Sequence, residues 1–370
     1  MASSTSRPSV FECHPKLTIA VVVVVSVLTL DILSANLLSA LGWYTPPRKL
    51  EQVYRVPHAV FHHTLAPDID YPGAVWGPMR YDVHTNSLGF KDSAARQVPL
   101  KSDGRRVLFM GDSFTEAMGV SYADSFVGLL DRRLGERRVE VLNAAVSSYS
   151  PIIYFRKIKY LLENVGLEFN HAVVMIDISD IMDEAISYVF DAKGNVYATE
   201  LPGAVGAEDR FKNFIAENTI LLSHIRFWFR SIRSRVERAR PVQESLNQYR
   251  SAWTFDETAY LEYGKRGLTR AAAHMTALKE LLDSTGIKLT VVVYPWPDQI
   301  ARRDLDSRQV EFWRRWSNQH ETSFVNLFPD FINAQDPMES IRTYFISGDV
   351  HWNARGHALV AERLLKRIQF

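Results

Sequence analysis

Apolar and polar positions divide the chain into three regions. Residues 17–44 form an almost unbroken apolar run without Lys or Arg, preceded by a short tail, residues 1–16. Residues 45–100 are rich in Pro, His and Gly and show little sustained periodicity. From residue 101 to 370, buried-strand patterns alternate with amphipathic helical patterns. These patterns predict a membrane-length helix, a segment that wraps around and leads into the main domain, and an α/β domain.

The alternating region predicts a parallel sheet. Short apolar runs ending at turns indicate strands that are buried on both faces, and longer runs with a helical period indicate the crossovers between them. The predicted strands lie within 106–113, 139–145, 171–180, 287–297 and 322–328, and the predicted helices span 124–135, 154–166, 269–286, 308–320 and 353–368. Strands joined by helical crossovers form a parallel sheet with helices on both faces, so a three-layer α/β/α fold is expected.

An insertion at about 191–255 interrupts the alternation. Within it, residues 220–241 mix aromatic and aliphatic residues with six arginines. Three interpretations stay open: a solvated amphipathic helix, a helix lying on a membrane surface, and a basic rim for an anionic glycan.

The apolar run 17–44 is long enough to cross a bilayer and ends in Trp43 and Tyr44, which favour the membrane interface. It exceeds a usual signal-peptide core, and no small-x-small cleavage site follows it, so an uncleaved transmembrane anchor is favoured over a signal peptide. A buried helix of a soluble protein is the third interpretation. Asp31 is costly near mid-membrane unless it is protonated, paired or close to one face. Basic residues flank both ends, so charge does not fix the orientation.

The amino-acid composition limits the classes of ligand and partner that the protein is expected to bind. The chain has 43 Lys and Arg against 42 Asp and Glu, so no net field attracts a polyanion and nucleic acid is not an expected partner. Cys13 is the only cysteine in the sequence, which excludes an intramolecular disulfide and a cysteine-based metal site. His58, His62 and His63 have the spacing of metal ligands on a helix, but Pro57 favours an irregular segment and no nearby carboxylate completes a site. Neither a metal nor a dissociable cofactor is expected.

Ser113 follows the predicted strand Val107–Met110, with Gly111 permitting a tight turn between them. In an open parallel sheet, ligands bind at the carboxyl edge, where this strand ends. A serine at a helix N-terminus has free backbone N–H groups beside it that stabilise developing negative charge. The alternative is that Asp112 or Ser113 only caps the helix, and this short stretch alone does not decide between the two.

A second candidate pair lies just before the last predicted helix. Asp349 and His351 are two residues apart, so in an extended segment they project to the same side. A carboxylate there can orient the imidazole and fix its tautomer, as in a serine–histidine–aspartate triad. The alternative is a turn-capping aspartate beside a surface histidine.

Together, residues 111–119 (GDSFTEAMG) and 349–357 (DVHWNARGH) resemble the first and last blocks of the SGNH hydrolases, also called the GDSL family. The resemblance covers about residues 80–370, and residues 85–92 (TNSLGFKD) look like the approach to the first block in membrane-anchored bacterial members. The Asp-x-His-Trp pattern is similar to the branch associated with alginate O-acetylation. The resemblance implies a flavodoxin-like SGNH fold with Ser113 as nucleophile, His351 as base and Asp349 orienting His351.

The family has two further sequence blocks between the first and the last, and in this chain both depart from the family pattern. Ala145 stands where the family has a glycine whose N–H binds the oxyanion, and Ser179 stands where an asparagine donates its side chain. The expected oxyanion hole is therefore the N–H groups of Ser113 and Ala145, with or without the Ser179 hydroxyl. Trp296 and Trp352 are candidate substrate-binding aromatics, and packing in the core or at the rim is the other interpretation of Trp296.

The resemblance implies acyl transfer through a covalent serine ester. If water accepts the acyl group, the protein is an esterase, and if a sugar hydroxyl accepts it, the protein is an O-acetyltransferase. The motifs are the same in both cases and do not distinguish the two activities. The expected substrate is an acylated carbohydrate, on a cell-surface or exported polysaccharide. The expected location is the bacterial inner membrane, single-pass through residues 17–44, with the catalytic domain extracytoplasmic and other polysaccharide-export or acetylation proteins as partners. The alternative is a membrane-anchored glycan-binding or assembly protein without turnover, which the missing asparagine favours.

Overall fold

A computed structural model describes residues 14–44, 54–199, 214–215, 218–225, 228, 245–332 and 335–370. The chain divides into two compact units. The first comprises Met1–Val53 with Gly203–Arg233, and the second comprises Tyr54–Pro202 with Ser234–Phe370.

The first unit contains one long apolar helix, α1 (Pro15–Ala40), which begins with proline at its first position. Its mean hydropathy reaches 2.5, and it is long and apolar enough to cross a membrane by length and composition. Asp31 is one of its two buried residues. The Asp31 carboxylate accepts hydrogen bonds from the backbone N–H groups of residues 220, 221 and 222, at the start of the helical stretch 221–225. The polar residue in the apolar run is therefore paired, with the free N–H groups of a helix N-terminus.

The second unit is built on an eight-stranded sheet. Five of its strands are parallel to one another: β6 (Arg105–Met110), β7 (Val139–Asn143), β8 (His171–Ile176), β11 (Lys288–Val293) and β12 (Ser323–Asn326). Their spatial order is β12-β11-β8-β6-β7. Counted along the parallel strands, this is the flavodoxin-like order, in which the chain reverses direction across the sheet between β6 and β8. The predicted α/β class with a mostly parallel sheet is confirmed.

Helices cover both faces of this sheet. On one face α3 (Phe126–Gly135) packs against the final helix α12 (Ala354–Arg367), and on the other α4 (Pro151–Tyr160) and α5 (Asp180–Ile186) pack against the long helix α7 (Lys265–Ser284). The other α-helices in the described part of the second unit are α2 (Ser113–Glu116), α6 (Glu257–Ala259), α8 (Pro297–Arg302), α9 (Arg308–Gln319), α10 (Phe328–Ile332) and α11 (Pro337–Tyr344). The sequences of the parallel strands are nearly continuous apolar runs, because both faces of each strand are buried.

The segment 45–100 contributes strands that the sequence pattern does not predict. β3 (Asp70–Trp76), β4 (Met79–Thr85) and β5 (Lys91–Asp92) extend the sheet beyond β7 with antiparallel pairing. The register between β3 and β4 shifts between Tyr71 and Ala74, where Pro72 and Gly73 interrupt the apolar alternation. This irregularity hides the strand from a period-two pattern. Residues 45–53 lie outside the described part of the chain.

The described part of the second unit also contains two small hairpins. β1 (Arg55–His58) pairs with β2 (His62–Leu65), and β9 (Tyr188–Phe190) pairs with β10 (Val196–Ala198). The predicted insertion at about 191–255 includes β10 and a 3-10 turn at Tyr249–Thr254. Most of its arginine-rich stretch, 220–241, lies outside the described residues, so its three interpretations remain predictions.

Candidate active site

The turn after β6 is shaped by the lack of space around Gly111. A Cβ atom there would lie 2.3 Å from Thr115 Oγ1 and 3.1 Å from the Met175 carbonyl oxygen. The backbone of Gly111 is not left-handed, so the glycine is required by close packing and not, as the sequence suggests, by the turn itself. This close packing lies directly after Met110, where β6 ends at the carboxyl edge of the sheet.

Asp112 and Ser113 have separate roles in this turn. The Asp112 carboxylate accepts a hydrogen bond from the Phe114 N–H at 3.1 Å and caps α2. Ser113 is the first residue of α2, and its Oγ lies 2.8 Å from His351 Nε2 and 3.1 Å from Asp112 Oδ2. Asp112 therefore caps α2 through Oδ1 and accepts from the Ser113 hydroxyl through Oδ2, and the same hydroxyl lies within hydrogen-bond distance of the His351 imidazole.

Asp349 and His351 lie in the loop before α12. His351 Nδ1 is 2.5 Å from Asp349 Oδ1, and the His351 backbone N–H donates to the same oxygen at 2.9 Å. The Asp-x-His spacing thus works through a turn in which the carboxylate folds back on the backbone, and not through the extended segment that the sequence predicts. Asn353 follows and caps α12.

Electrostatics around His351 suit a general base. Burial alone would lower its pKa, but the hydrogen bond and charge of Asp349, with the charges of Asp112 and Asp177, raise the pKa above its ordinary value. Burial alone would raise the pKa of Asp349, but hydrogen bonding to His351 and its charge outweigh burial and lower that pKa. The pair therefore favours an imidazolium held by a carboxylate, the state that forms when a base takes a proton from serine.

Trp76, a residue that the sequence does not single out, also contacts this pair. Its indole N–H donates to Asp349 Oδ2 at 3.1 Å, and its ring meets His351 edge-on. Trp76 is the last residue of β3, in the segment without a predicted strand, so no signal in the sequence connects it with Asp349.

Three carboxyl groups cluster beside the turn, at the carboxyl ends of β6 and β8. Oxygens of Asp112, Asp177 and Asp180 lie within 4.8 Å of one another, and all three residues are buried. Asp177 accepts from the Trp296 indole and the Ser179 N–H, and Asp180 accepts from the Tyr154 hydroxyl. Burial, and then the neighbouring carboxylates, raise the pKa values of Asp112 and Asp180, because crowded charges in an apolar site favour the protonated acid.

The predicted oxyanion donors come from three adjacent strands. The Ser113 N–H starts α2 after β6, Ala145 follows β7, and Ser179 precedes α5 after β8. The Ala145 N–H donates to Asn143 Oδ1 at 3.3 Å, and the Asn143 side chain also donates to the Thr115 carbonyl, which joins the β6 and β7 turns. The role of these N–H groups and of the Ser179 hydroxyl remains a prediction.

The two tryptophans predicted to bind substrate are buried. Trp352 is 0% exposed and stacks on Phe331, so it has no free face for a sugar. Trp296 is 5% exposed and directs its indole N–H to Asp177. Both predictions are corrected: each tryptophan packs against the ring of Phe114, and this aromatic cluster excludes solvent from the two indoles.

The histidines at 58, 62 and 63 lie on a hairpin and not on a helix. His58 and His62 are paired across β1 and β2, and His58 stacks on Phe61. His63 Nε2 lies 2.8 Å from the Ser147 carbonyl oxygen, so it supports the loop after β7. These contacts are those of packing residues.

No family model matches this chain, and no curated protein matches it. Similar solved structures include Axe2, an acetylxylan esterase from Geobacillus stearothermophilus, at 15% identity and a TM-score of 0.40, covering 74% of this chain and 97% of that one. A member of the lipolytic G-D-S-L family from Veillonella parvula matches at 14% identity, a TM-score of 0.38 and coverage of 71% and 97%. The esterase EstA from Pseudoalteromonas sp. matches at 13% identity, a TM-score of 0.36 and coverage of 71% and 96%. Function is therefore inferred from this chain's own side chains.

Proposed function

We propose that the chain is a serine-dependent acyl ester hydrolase or O-acetyltransferase. The observation that carries the proposal is the continuous hydrogen-bonded series from Ser113 Oγ to His351 Nε2 and from His351 Nδ1 to Asp349 Oδ1. This arrangement supplies a nucleophile, a base and a group that orients the base.

In the proposed reaction, Ser113 Oγ attacks the ester carbonyl while His351 Nε2 takes the hydroxyl proton. When the ester C–O bond breaks, His351 returns that proton to the leaving alkoxide, and the acyl group stays on Ser113. Water or a sugar hydroxyl then attacks the acyl carbonyl and loses its proton to His351. The bond between Ser113 Oγ and the acyl carbon breaks, and His351 returns the proton to Ser113 Oγ. The N–H groups of Ser113 and Ala145, with the Ser179 hydroxyl, are the proposed donors to the oxyanion.

The proposed substrate is an O-acetylated cell-surface or exported polysaccharide. Two features support it: the apolar helix α1, suited to a bilayer, and the resemblance of the Asp-x-His-Trp pattern to the alginate O-acetylation branch. With the second unit extracytoplasmic, a bacterial inner-membrane protein would meet exported glycans and other polysaccharide-export or acetylation proteins there.

The test incubates the full chain in detergent with p-nitrophenyl acetate and a xylo-oligosaccharide acceptor. Mass analysis of both products distinguishes free acetate from an acetylated sugar, and so hydrolase from transferase. Ser113→Ala should abolish both products, whereas Ser147→Ala, a serine on the neighbouring loop after β7, should retain them. Fluorophosphonate labelling at a serine other than Ser113 would overturn the proposal.

A glycan-binding protein without turnover is the second candidate. It is favoured by Ser179 in the place of an asparagine donor, since losing one oxyanion donor costs about 2.7 to 4 kcal/mol of transition-state stabilisation. In that case the wild-type protein binds acetylated oligosaccharides without turnover, and Ser113→Ala leaves their affinity unchanged.

A further inference from the structure

We propose that Trp76 is a positioning residue that fixes Asp349 against His351, an inference that rests on the proposed acyl-transfer function. Trp76 lies in the antiparallel extension of the sheet, more than two hundred residues from Asp349 in the chain. Its indole N–H donates to Asp349 Oδ2 at 3.1 Å.

The two oxygens of Asp349 have separate partners. Oδ1 accepts from the His351 backbone N–H and lies against His351 Nδ1, whereas Oδ2 accepts from Trp76. The first two contacts come from the carboxylate's own loop and hold one oxygen. Rotation of the carboxylate about its Cβ–Cγ bond would break the contact with Trp76, so the indole fixes the plane of the carboxylate.

Trp76 also contacts the imidazole directly. The two ring centroids are 5.3 Å apart and the rings are inclined at 89°, so the indole packs edge-to-face with His351. One side chain from β3 therefore limits the motion of both the carboxylate and the base that it orients.

The backbone of a neighbouring loop leaves space for this arrangement. Gly119 has a φ of +83°, and a Cβ atom there would lie 2.8 Å from Ile346 Cδ1 and 3.4 Å from Trp76 Cδ1. The glycine is thus needed for its left-handed backbone and because Ile346, in the loop before Asp349, and the Trp76 indole both pack close to it. Trp76 is also paired with Met79 where β3 turns into β4, which fixes the base of the side chain.

The indole N–H is a donor that does not titrate, so it favours the ionised form of Asp349. The side chain of Asp349 is 22% exposed, so water can replace the indole, but without its fixed direction. A carboxylate that samples several orientations stabilises the imidazolium less. The titratable groups facing His351 are Asp349 on its own loop, Asp112 before α2, Asp177 after β8 and His357 on α12.

The experiment compares Trp76→Phe with Trp316→Phe in the full chain. Trp316 is a matched control because its buried indole also donates one hydrogen bond, to Thr276 Oγ1 at 3.2 Å, on α9 and away from the triad. Two quantities are measured: steady-state kinetics on p-nitrophenyl acetate, and the pKa of His351 by NMR of 13C-labelled histidine. The His351 signal is assigned by its loss in His351→Gln.

For Trp76→Phe we expect kcat to fall about tenfold with little change in KM, because the lost interaction acts mainly in the transition state. The pKa of His351 should fall in the same variant, and Trp316→Phe should alter neither quantity. Equal kinetics and equal His351 titration in the two variants would overturn the inference. A wild-type protein that turns over no ester would remove the proposed function, and the His351 titration would still decide whether Trp76 positions Asp349.

Discussion

His351 Nε2 lies 2.8 Å from Ser113 Oγ, although 238 residues separate the two in the chain. Ser113 begins α2 directly after β6, and His351 belongs to the loop that leads into α12. Because α12 packs against α3 on one face of the sheet, this loop returns to the carboxyl end of β6. The two segments that resemble the end blocks of the SGNH hydrolases are thereby brought into hydrogen-bond contact.

Asp349→Asn is expected to lower kcat by about 10³ to 10⁴-fold, because the amide favours the wrong imidazole tautomer and does not stabilise the imidazolium. The measurement is the kinetics of p-nitrophenyl acetate hydrolysis together with the rate of fluorophosphonate labelling of Ser113. Asp336→Asn is a suitable control, because the Asp336 carboxylate is an exposed helix cap that is paired with Arg342. A variant at position 349 that labels as fast as the wild type would show that Asp349 does not orient the base.

The pH profile should reflect the raised pKa of His351. The neutral imidazole is the base, so kcat/KM should be lost as pH falls through a value above about 6.5, the ordinary histidine pKa. Asp177→Asn removes a negative charge that raises this pKa, so the acidic limb should move to lower pH. Asparagine retains an oxygen that can accept from the Ser179 N–H, which keeps the turn after β8 intact. An acidic limb unchanged in Asp177→Asn would contradict this electrostatic account.

The sequence predicts those features of the site that are formed by residues close together in the chain. Ser113 at a strand end and Asp349 two residues before His351 are visible in single short segments. The contact of Trp76 with Asp349 joins an irregular antiparallel strand to a distant loop, and Pro72 with Gly73 obscures that strand.

Burial is the other property that the local pattern does not predict. Trp352 occupies a position beside His351 that suits a ligand-stacking aromatic, but the structure packs it fully against Phe331 and Phe114. Whether an aromatic side chain faces solvent depends on which helices close over it. Here α10, which contains Phe331, supplies that cover.

Asp180→Asn is expected to stabilise the second unit. One oxygen of Asp180 is buried without a hydrogen-bond partner among the described residues, and burial with nearby carboxylates raises the pKa of Asp180 well above its usual range. A carboxyl with a raised folded-state pKa contributes most to stability below its ordinary pKa, and stability falls as pH rises towards the folded-state value. The gain from asparagine should therefore grow with pH, to about 1 to 3 kcal/mol at neutral pH.

Thermal unfolding at a series of pH values tests this expectation. Asp330→Asn is the opposite control, because its carboxylate is bonded to Arg363 and Arg367 and its loss should lower the free energy of unfolding. A gain for Asp180→Asn that is equal at pH 4 and pH 8 would contradict a titrating carboxyl as its source.

Gly111→Ala should destabilise the protein and reduce Ser113 labelling. The added methyl would lie within 2.3 Å of Thr115 Oγ1, so the turn that presents Ser113 must shift. Overpacking of this kind costs about 1 to 3 kcal/mol of unfolding free energy, measured by chemical denaturation. Gly135→Ala, at the end of α3 with nothing within 4 Å of the new Cβ, should have little effect. Equal effects at the two positions would mean that space around Gly111 does not set the turn.

Cys13 offers a test of the proposed membrane topology, because it is the only cysteine in the sequence and precedes α1. Asp103 is exposed in the second unit. The double variant Cys13→Ser, Asp103→Cys therefore moves the single thiol from a position before α1 in the chain to a position after it. If α1 crosses the bacterial inner membrane with the second unit outside, a membrane-impermeant maleimide should label residue 103 in intact spheroplasts and residue 13 only after lysis. The protein should also stay with the membrane fraction after alkaline carbonate extraction, because about 20 apolar residues are enough to span the bilayer. Labelling of Cys13 in intact spheroplasts with protection of residue 103 would place the candidate active site in the cytoplasm, and exported polysaccharide would then be excluded as its substrate.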